Sequence, residues 1–168
     1  DGYMITGWYN DSDGSWYYYD GNGKAGSDFT KINGAWYYLE YNGYMTTSTW
    51  VQSNGYWYYI TPSGVMATSW YVVDGCYYYF EASGEMVTGW KNLGGIWYYM
   101  QPGGKMVTGW QVIDGSYYYF DASGAMTTNW QNVGGAWYYM QLSGKMVTGW
   151  QVIDGRYYYF DANGVWSA

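Results

Sequence analysis

The chain has 168 residues, of which 26 are Tyr, 13 are Trp and 26 are Gly, while His is absent and Cys occurs once. Thirteen acidic residues against six basic ones give a net charge of -7, which opposes binding to a polyphosphate, so no nucleic acid partner is expected. No apolar run approaches the roughly 20 residues of a membrane-spanning helix, so no membrane span is expected either.

A repeat of about 20 residues runs along the whole chain. A period this short is typical of a stacked array and not of a single globular core, so residues 1–168 are interpreted as one array. Residues 1–7 read like the tail of a repeat, which predicts that the array begins upstream and follows a domain outside this chain. The repeats open at Trp8, Phe29, Trp50, Trp70, Trp90, Trp110, Trp130 and Trp150.

Each opening aromatic is followed by a turn pair that ends in Gly. Asn-Gly, Asp-Gly and Gly-Gly supply the positive φ of a two-residue type I′ hairpin turn, and β-forming residues flank them. We therefore predict an all-β solenoid, or superhelix, of about eight two-stranded hairpins with almost no helix. The turn pairs are Asp13-Gly14, Asn33-Gly34, Asn54-Gly55, Asp74-Gly75, Gly94-Gly95, Asp114-Gly115, Gly134-Gly135 and Asp154-Gly155.

The turn of each hairpin predicts its register. In the repeat that opens at Trp110, the turn pairs Trp110 with Tyr119, which places Trp110 and Tyr117 on one face and Tyr118 on the other. Both faces are apolar or aromatic, and a lone hairpin is marginal in water, so neighbouring hairpins are expected to cover both faces. The residues that follow the aromatic triplets are expected in the core: Leu39, Phe80, Met100 and Phe120.

The chain offers little for catalysis or for metal binding. Without His and with one Cys, the usual nucleophile–base pairs are missing. The carboxylates recur with the repeat, as turn chemistry does, and those near Asp11 and Asp20 cluster too sparsely for a strong calcium site. Cys76 stands where another repeat carries Ser116 and is interpreted as a tolerated substitution. No enzyme activity, metal or cofactor is therefore expected.

The recurring feature that could bind a ligand is aromatic. Trp90 and Trp97 share a face of their hairpin, and stacking of the next hairpin brings Tyr118 towards them, with Met106 expected to close the side. The π-faces of such a cage attract a quaternary ammonium, which has no N–H group and needs no hydrogen-bond acceptor, by about 0.5–2 kcal/mol per good contact. The sequence therefore predicts cages for a methylated cation.

The pattern also matches a known family. Gly109-Trp110 with Asp114-Gly115, Tyr117-Tyr118-Tyr119-Phe120, Gly124, Met126 and Thr128 resembles the choline-binding, or cell-wall-binding, repeat of pneumococcal and related surface proteins, autolysins and phage endolysins. The resemblance covers essentially the whole chain. It implies a hairpin solenoid that holds the phosphocholine of teichoic and lipoteichoic acids between consecutive repeats, in cages of Trp or Tyr with Met.

Carried over by position, the resemblance implies five full cages and one in which Phe replaces the opening Trp. A cage at Trp8 and Trp16 is not included, because Ala25 supplies no Met and an extra residue precedes the turn. The five full cages are Trp50, Trp57, Met66 and Tyr78; Trp70, Tyr77, Met86 and Tyr98; Trp90, Trp97, Met106 and Tyr118; Trp110, Tyr117, Met126 and Tyr138; and Trp130, Trp137, Met146 and Tyr158. The Phe-opened cage is Phe29, Trp36, Met45 and Tyr58.

The leading hypothesis is a non-catalytic module that anchors a secreted protein to the cell wall or cell surface through choline. The last repeat has Trp150 and Tyr157 but no successor, so it is expected to cap the stack or to meet a second chain in a homodimer. The alternative is a glucan- or glycan-binding module of the toxin or glucosyltransferase type, for which amide partners are needed: Gln111, Gln131 and Gln151.

Overall fold

The computed structural model describes residues 3–167, so Asp1, Gly2 and Ala168, at the ends of the predicted array, lie outside it. Within that range the regular structure is all β, as predicted, and no helix there could cross a bilayer. The strands are β1 Gly7–Asn10, β2 Trp16–Tyr19, β3 Asp28–Ile32, β4 Ala35–Leu39, β5 Thr49–Ser53, β6 Tyr56–Ile60, β7 Ser69–Val73, β8 Cys76–Phe80, β9 Gly89–Leu93, β10 Ile96–Met100, β11 Gly109–Ile113, β12 Ser116–Phe120, β13 Asn129–Val133, β14 Ala136–Met140, β15 Gly149–Ile153, β16 Arg156–Phe160 and β17 Trp166–Ser167.

Consecutive strands pair as antiparallel hairpins, one for each predicted repeat. In β11–β12, Trp110 lies opposite Tyr119 and Ile113 opposite Ser116, which is the predicted register. Turn chemistry fixes this register, since both residues of the Asp114-Gly115 pair have positive φ, at 49° and 73°.

The first hairpin departs from the two-residue turn. Strand β1 ends at Asn10 and β2 begins at Trp16, so five residues connect them, and of the predicted pair only Gly14 has positive φ. Side-chain hydrogen bonds hold this longer loop: Asp11 Oδ1 accepts from the amide of Asp13, and Asp13 Oδ1 accepts from the amide of Ser15. The prediction of a type I′ turn at Asp13-Gly14 is wrong because the extra residue lengthens the loop.

The link after each hairpin folds back onto the second strand. Met126 forms a β-bridge with Phe120, and the amide of Thr127 donates to the carbonyl of Tyr119 at 2.9 Å. In the last repeat the same return is long enough to form β17, which pairs with β16. In the links that carry a methionine at this position, it therefore lies beside the strand that precedes it.

The structure divides into two compact units, Asp1–Val87 and Thr88–Ala168. Each contains its own stack of hairpins, with a core made by the residues that end the second strand of each hairpin. Leu39 and Phe80 are buried in the first unit and Met100 and Phe120 in the second, which confirms them as core. Burying such side chains supplies the stability that a lone hairpin lacks.

The two faces of a hairpin are covered unequally. In β11–β12, Tyr118 and Phe120 are buried, whereas Val112 is 59% and Tyr117 52% exposed. Neighbouring hairpins thus cover the face of Tyr118 closely and the face of Tyr117 only in part. The following hairpin covers the part of this second face that carries Trp110, where the ring of Tyr138 lies 4.7 Å from that of Trp110. The part that carries Val112 and Tyr117 stays open. This open end is where a ligand can enter.

Candidate functional site: aromatic cages

Three aromatic rings meet where the hairpin β11–β12 stacks on the hairpin β9–β10. The ring of Trp90 lies 6.2 Å from that of Trp97 at 85°, and 4.9 Å from that of Tyr118 at 63°. Trp90 and Trp97 come from β9 and β10 of one hairpin, and Tyr118 from β12 of the next. The structure thus brings together the three rings that the register argument placed in one cage.

The same ring contact recurs in both units. The middle Tyr of each triplet approaches the opening aromatic of the preceding repeat, edge to face or tilted. The centroid distances are 4.9 Å for Trp8–Tyr37, 4.7 Å for Phe29–Tyr58, 5.0 Å for Trp50–Tyr78, 4.7 Å for Trp110–Tyr138 and 5.0 Å for Trp130–Tyr158.

A cavity of about 340 Å³ lies at the Trp90 cage. This is at the small end of the range for ligand pockets. Trp97 forms its outer wall and is 42% exposed, whereas Tyr118 is buried. The cavity is lined by Trp90, Trp97, Tyr118, Met126, Leu142 and Ser143.

The methionine in this cavity differs from the expected one. Met126 lines the cage, in place of Met106, which the sequence analysis had assigned to it. The thioether comes from the repeat that supplies Tyr118 and not from the repeat that supplies the Trp pair. The assignment of Met106 to this cage is therefore wrong by one repeat.

Backbone hydrogen bonding explains the shift. The link folds back, so the amide of Met126 donates to the carbonyl of Trp97 at 2.8 Å, which holds the methionine beside the outer wall. Met106 instead lies against Gly124, and Met126 in turn lies against Gly144. Each of these glycines has positive φ, at 83° and 81°, and lacks a Cβ that would collide with the thioether.

The same backbone bond joins other methionines to the outer wall of the preceding repeat. It links Met86 to Trp57, Met66 to Trp36, Met146 to Tyr117 and Met45 to Trp16, each at 2.8 Å. At three cages the expected methionine thus comes from one repeat before the one whose methionine reaches the cage. These expected methionines are Met66 for the Trp50 cage, Met45 for the Phe29 cage and Met126 for the Trp110 cage. These backbone bonds place Met86, Met66 and Met146 beside the outer walls of the three cages instead.

The first repeat also forms a cage, contrary to expectation. A cavity of about 360 Å³ is lined by Trp8, Trp16, Tyr37, Met45 and Ser63. The repeat pattern predicts no cage here because Ala25 supplies no thioether. That reasoning fails because Met45, from the following link, takes the place.

One predicted group, the cage that opens at Trp70, needs separate description. Trp70, Tyr77 and Met86 belong to the first unit and Tyr98 to the second, so that cage stays a prediction. Within the first unit the ring of Trp70 lies 6.5 Å from that of Tyr77 at 82°, the arrangement of Trp90 and Trp97.

Two of the cage tyrosines, Tyr118 and Tyr58, have a pKa raised above the usual value and are neutral at physiological pH. Burial raises the pKa of Tyr118 above its usual value near 10, and the negative charge of Asp114 adds to this. Burial likewise raises the pKa of Tyr58, with Glu85 contributing. A cation in these cages would therefore meet uncharged phenol rings, whose π-faces attract it without an ion pair.

The amides that favoured a glycan ligand are engaged elsewhere. Gln111, Gln131 and Gln151 each donate through Nε2 to the carbonyl of the Thr three residues earlier, at 3.0, 2.8 and 2.9 Å. They stabilise the link before their own hairpin. Sequence reasoning also missed the outer edge of the cage, Leu142 and Ser143, because those residues come from a third repeat.

Comparisons with known proteins agree with this architecture. A family model described as "Choline-binding repeat" matches residues 46–89, 87–129 and 127–166, and a "Putative cell wall binding repeat" model matches residues 6–25 and 27–45. The chain belongs to the choline-binding repeat family. Membership in this family implies association with the cell wall or cell surface.

Solved structures of the family are similar over nearly the whole chain. CbpJ from Streptococcus pneumoniae TIGR4 is 31% identical with a TM-score of 0.89, over 98% of this chain and 66% of that one. Choline binding protein F from Streptococcus pneumoniae is 40% identical with a TM-score of 0.88, over 98% and 58%. The pneumococcal cell wall endolysin from phage Cp-1, complexed with choline, is 32% identical with a TM-score of 0.53, over 87% and 38%.

The chain thus spans less than two thirds of the length of these relatives. The search of curated proteins returned no match. The similarity therefore establishes the repeat family and the hairpin solenoid, and the activity of a longer protein is a separate question.

Proposed function

We propose that this chain is a non-catalytic module that binds choline in the aromatic cages between consecutive hairpins. The observation that carries the proposal is the cavity at Trp90, Trp97, Tyr118 and Met126. Its inner surface offers π-faces and a thioether. These groups suit a cation whose charge is shielded by methyl groups.

The chemistry of the walls favours a quaternary over a primary ammonium. A primary ammonium has three N–H donors, each of which needs an acceptor when it leaves water. The four walls named above supply one phenol oxygen and no carboxylate or amide. The trimethylammonium group of choline has no N–H donor, so it gives up no N–H hydrogen bond on entering such a site. The net charge of -7 adds a weak long-range attraction for cations.

A titration with three ligands tests this proposal. Choline is compared with ethanolamine, which carries a primary ammonium, and with the neutral analogue in which carbon replaces the choline nitrogen. We expect choline to quench or shift tryptophan fluorescence at millimolar concentration and both others to bind much more weakly. Equal binding of the neutral analogue would contradict a cation–π site, and binding of glucan oligomers in place of choline would support the glycan alternative.

The natural ligand in this proposal is the phosphocholine of teichoic or lipoteichoic acid, and the module anchors a secreted protein to the cell wall. Single cages bind weakly, but several cages on a polymer with many phosphocholine groups raise the effective affinity by avidity. The chain should therefore sediment with choline-containing cell walls and be released by free choline. Equal retention on walls that contain ethanolamine in place of choline would contradict it.

A homodimer through the final hairpin is proposed as the assembly. Support comes from the outer face of β15–β16, where Trp150 is 70%, Val152 61% and Tyr157 77% exposed. These are large apolar side chains on one face, as in the self-complementary patch of a two-fold interface. Analytical ultracentrifugation should give a dimer for the parent chain and a monomer for Tyr157→Glu. A parent chain that stays monomeric at high concentration would refute it.

A further inference from the structure

The last cage of the second unit differs from the others in one wall. At the Trp90 cage, Met126 forms a bridge with Phe120 and closes the side. Two repeats later in the chain, Trp166 occupies the corresponding position. Trp166 lies in β17 and pairs with Phe160 of β16. Met146, which the family pattern implies for this cage, instead donates its amide to the carbonyl of Tyr117 in the preceding cage.

The side chain of Trp166 packs against two rings of the cage and against the core cluster of the last hairpin. Its ring lies 5.9 Å from that of Trp130 at 75° and 6.1 Å from that of Tyr158 at 64°. The ring of Trp130 in turn lies 6.4 Å from that of Trp137 at 79°. Strand β17 also contacts β14, the strand that carries Trp137. Trp166 is therefore held from two sides, by its pairing with β16 and by its contact with β14.

We propose that Trp130, Trp137, Tyr158 and Trp166 form a choline cage with four aromatic walls and no methionine, in which Trp166 sets the affinity for the quaternary ammonium. This inference deepens the proposed function and rests on it. An indole is the best of the natural side chains at attracting a cation through its face, whereas a thioether contributes mainly dispersion. This cage should therefore bind choline more tightly than the cage at Trp90.

Single cages can be observed separately by NMR. In protein labelled with ¹⁵N at tryptophan, each indole N–H gives its own signal, and those of Trp166, Trp137 and Trp97 are assigned by their loss in Trp166→Phe, Trp137→Phe and Trp97→Phe. Choline is then added in steps to the unsubstituted chain. We expect the Trp166 signal to move and to reach saturation at a lower choline concentration than the Trp97 signal, which reports on the methionine cage.

The matched variant is Trp166→Met, which gives the last cage the wall that Met126 forms at Trp90. It should weaken the choline response of Trp137 by about 2- to 30-fold, the range that corresponds to one cation–π contact, and leave the response of Trp97 unchanged. The dispersion of the remaining indole signals shows whether the variant is folded.

The outcomes separate the two proposals. A Trp166 signal that stays still while that of Trp97 moves would overturn the inference and leave choline binding intact. An unchanged Trp137 response in folded Trp166→Met would overturn it equally. If no indole signal responds to choline, the proposed function itself fails, and this inference fails with it.

Discussion

Replacing Gly144 with Ala tests how the methionine wall of the Trp90 cage is held. A Cβ added at Gly144 would lie 2.9 Å from Cγ and 2.8 Å from Cε of Met126, and closer still to its sulfur. Atoms cannot share this space, so Met126 must move. Gly135 is the matched control, because its φ of 88° is close to the 81° of Gly144, and a Cβ there would meet nothing within 4 Å.

The two substitutions share one cost and differ in another. Placing Ala in the left-handed region costs roughly 1–2 kcal/mol at either site. Overpacking at Gly144 adds about 1–3 kcal/mol, so Gly144→Ala should lose roughly 2–5 kcal/mol of unfolding free energy. Because displaced Met126 atoms each lose about 0.1–0.2 kcal/mol of contact with a ligand, choline binding at this cage should weaken by roughly a few-fold.

Urea denaturation followed by circular dichroism gives the stability difference, and the indole signal of Trp97 during a choline titration gives the binding difference. Gly135→Ala should show the smaller stability loss and unaltered binding at the Trp97 reporter. Equal losses in the two variants, or a Trp97 response untouched in Gly144→Ala, would refute the account of Met126 as a cage wall held by Gly144.

Three further predictions follow from burial and from the pKa shifts. Phe120→Ala should lose roughly 3–5 kcal/mol of unfolding free energy because Phe120 is fully buried, while Phe120→Met should lose under about 1.5 kcal/mol; a smaller urea midpoint shift for Ala than for Met would contradict this. Choline affinity should be constant from about pH 6 to 9, since burial raises the pKa of Tyr118 and choline does not titrate. A change of affinity within this range, measured by calorimetric titration, would show that a different titrating group affects the site. The hydrogen bond from Ser123 Oγ, together with backbone amides, lowers the pKa of Asp121 in the folded state. The ionised Asp121 should therefore stabilise the fold above the unfolded pKa of about 3.9, and this stabilisation should be lost as the pH falls through the lower folded pKa. The acid unfolding midpoints of the parent chain and Ser123→Ala should differ, and identical midpoints would refute this account.

The amino-acid sequence determined the local features of this fold. Two-residue turns such as Asp114-Gly115 set the register of each hairpin, and register decided that Trp110 and Tyr117 share a face while Tyr118 lies on the other. The contact of Tyr118 with Trp90 followed from the same alternation, given that consecutive hairpins stack. Such features depend on residues close together in the chain, where backbone geometry leaves few choices.

Only the tertiary structure decided which methionine closes which cage. The link between hairpins could have continued towards the next hairpin, but it folds back. Met126 therefore lies beside Phe120 of its own hairpin, and its amide bonds to the carbonyl of Trp97 in the preceding one. Neither the period nor the turn residues encode this return, because it depends on a backbone bond between two hairpins. The same return places Met45 in the cavity at Trp8 and Trp166 beside Trp130.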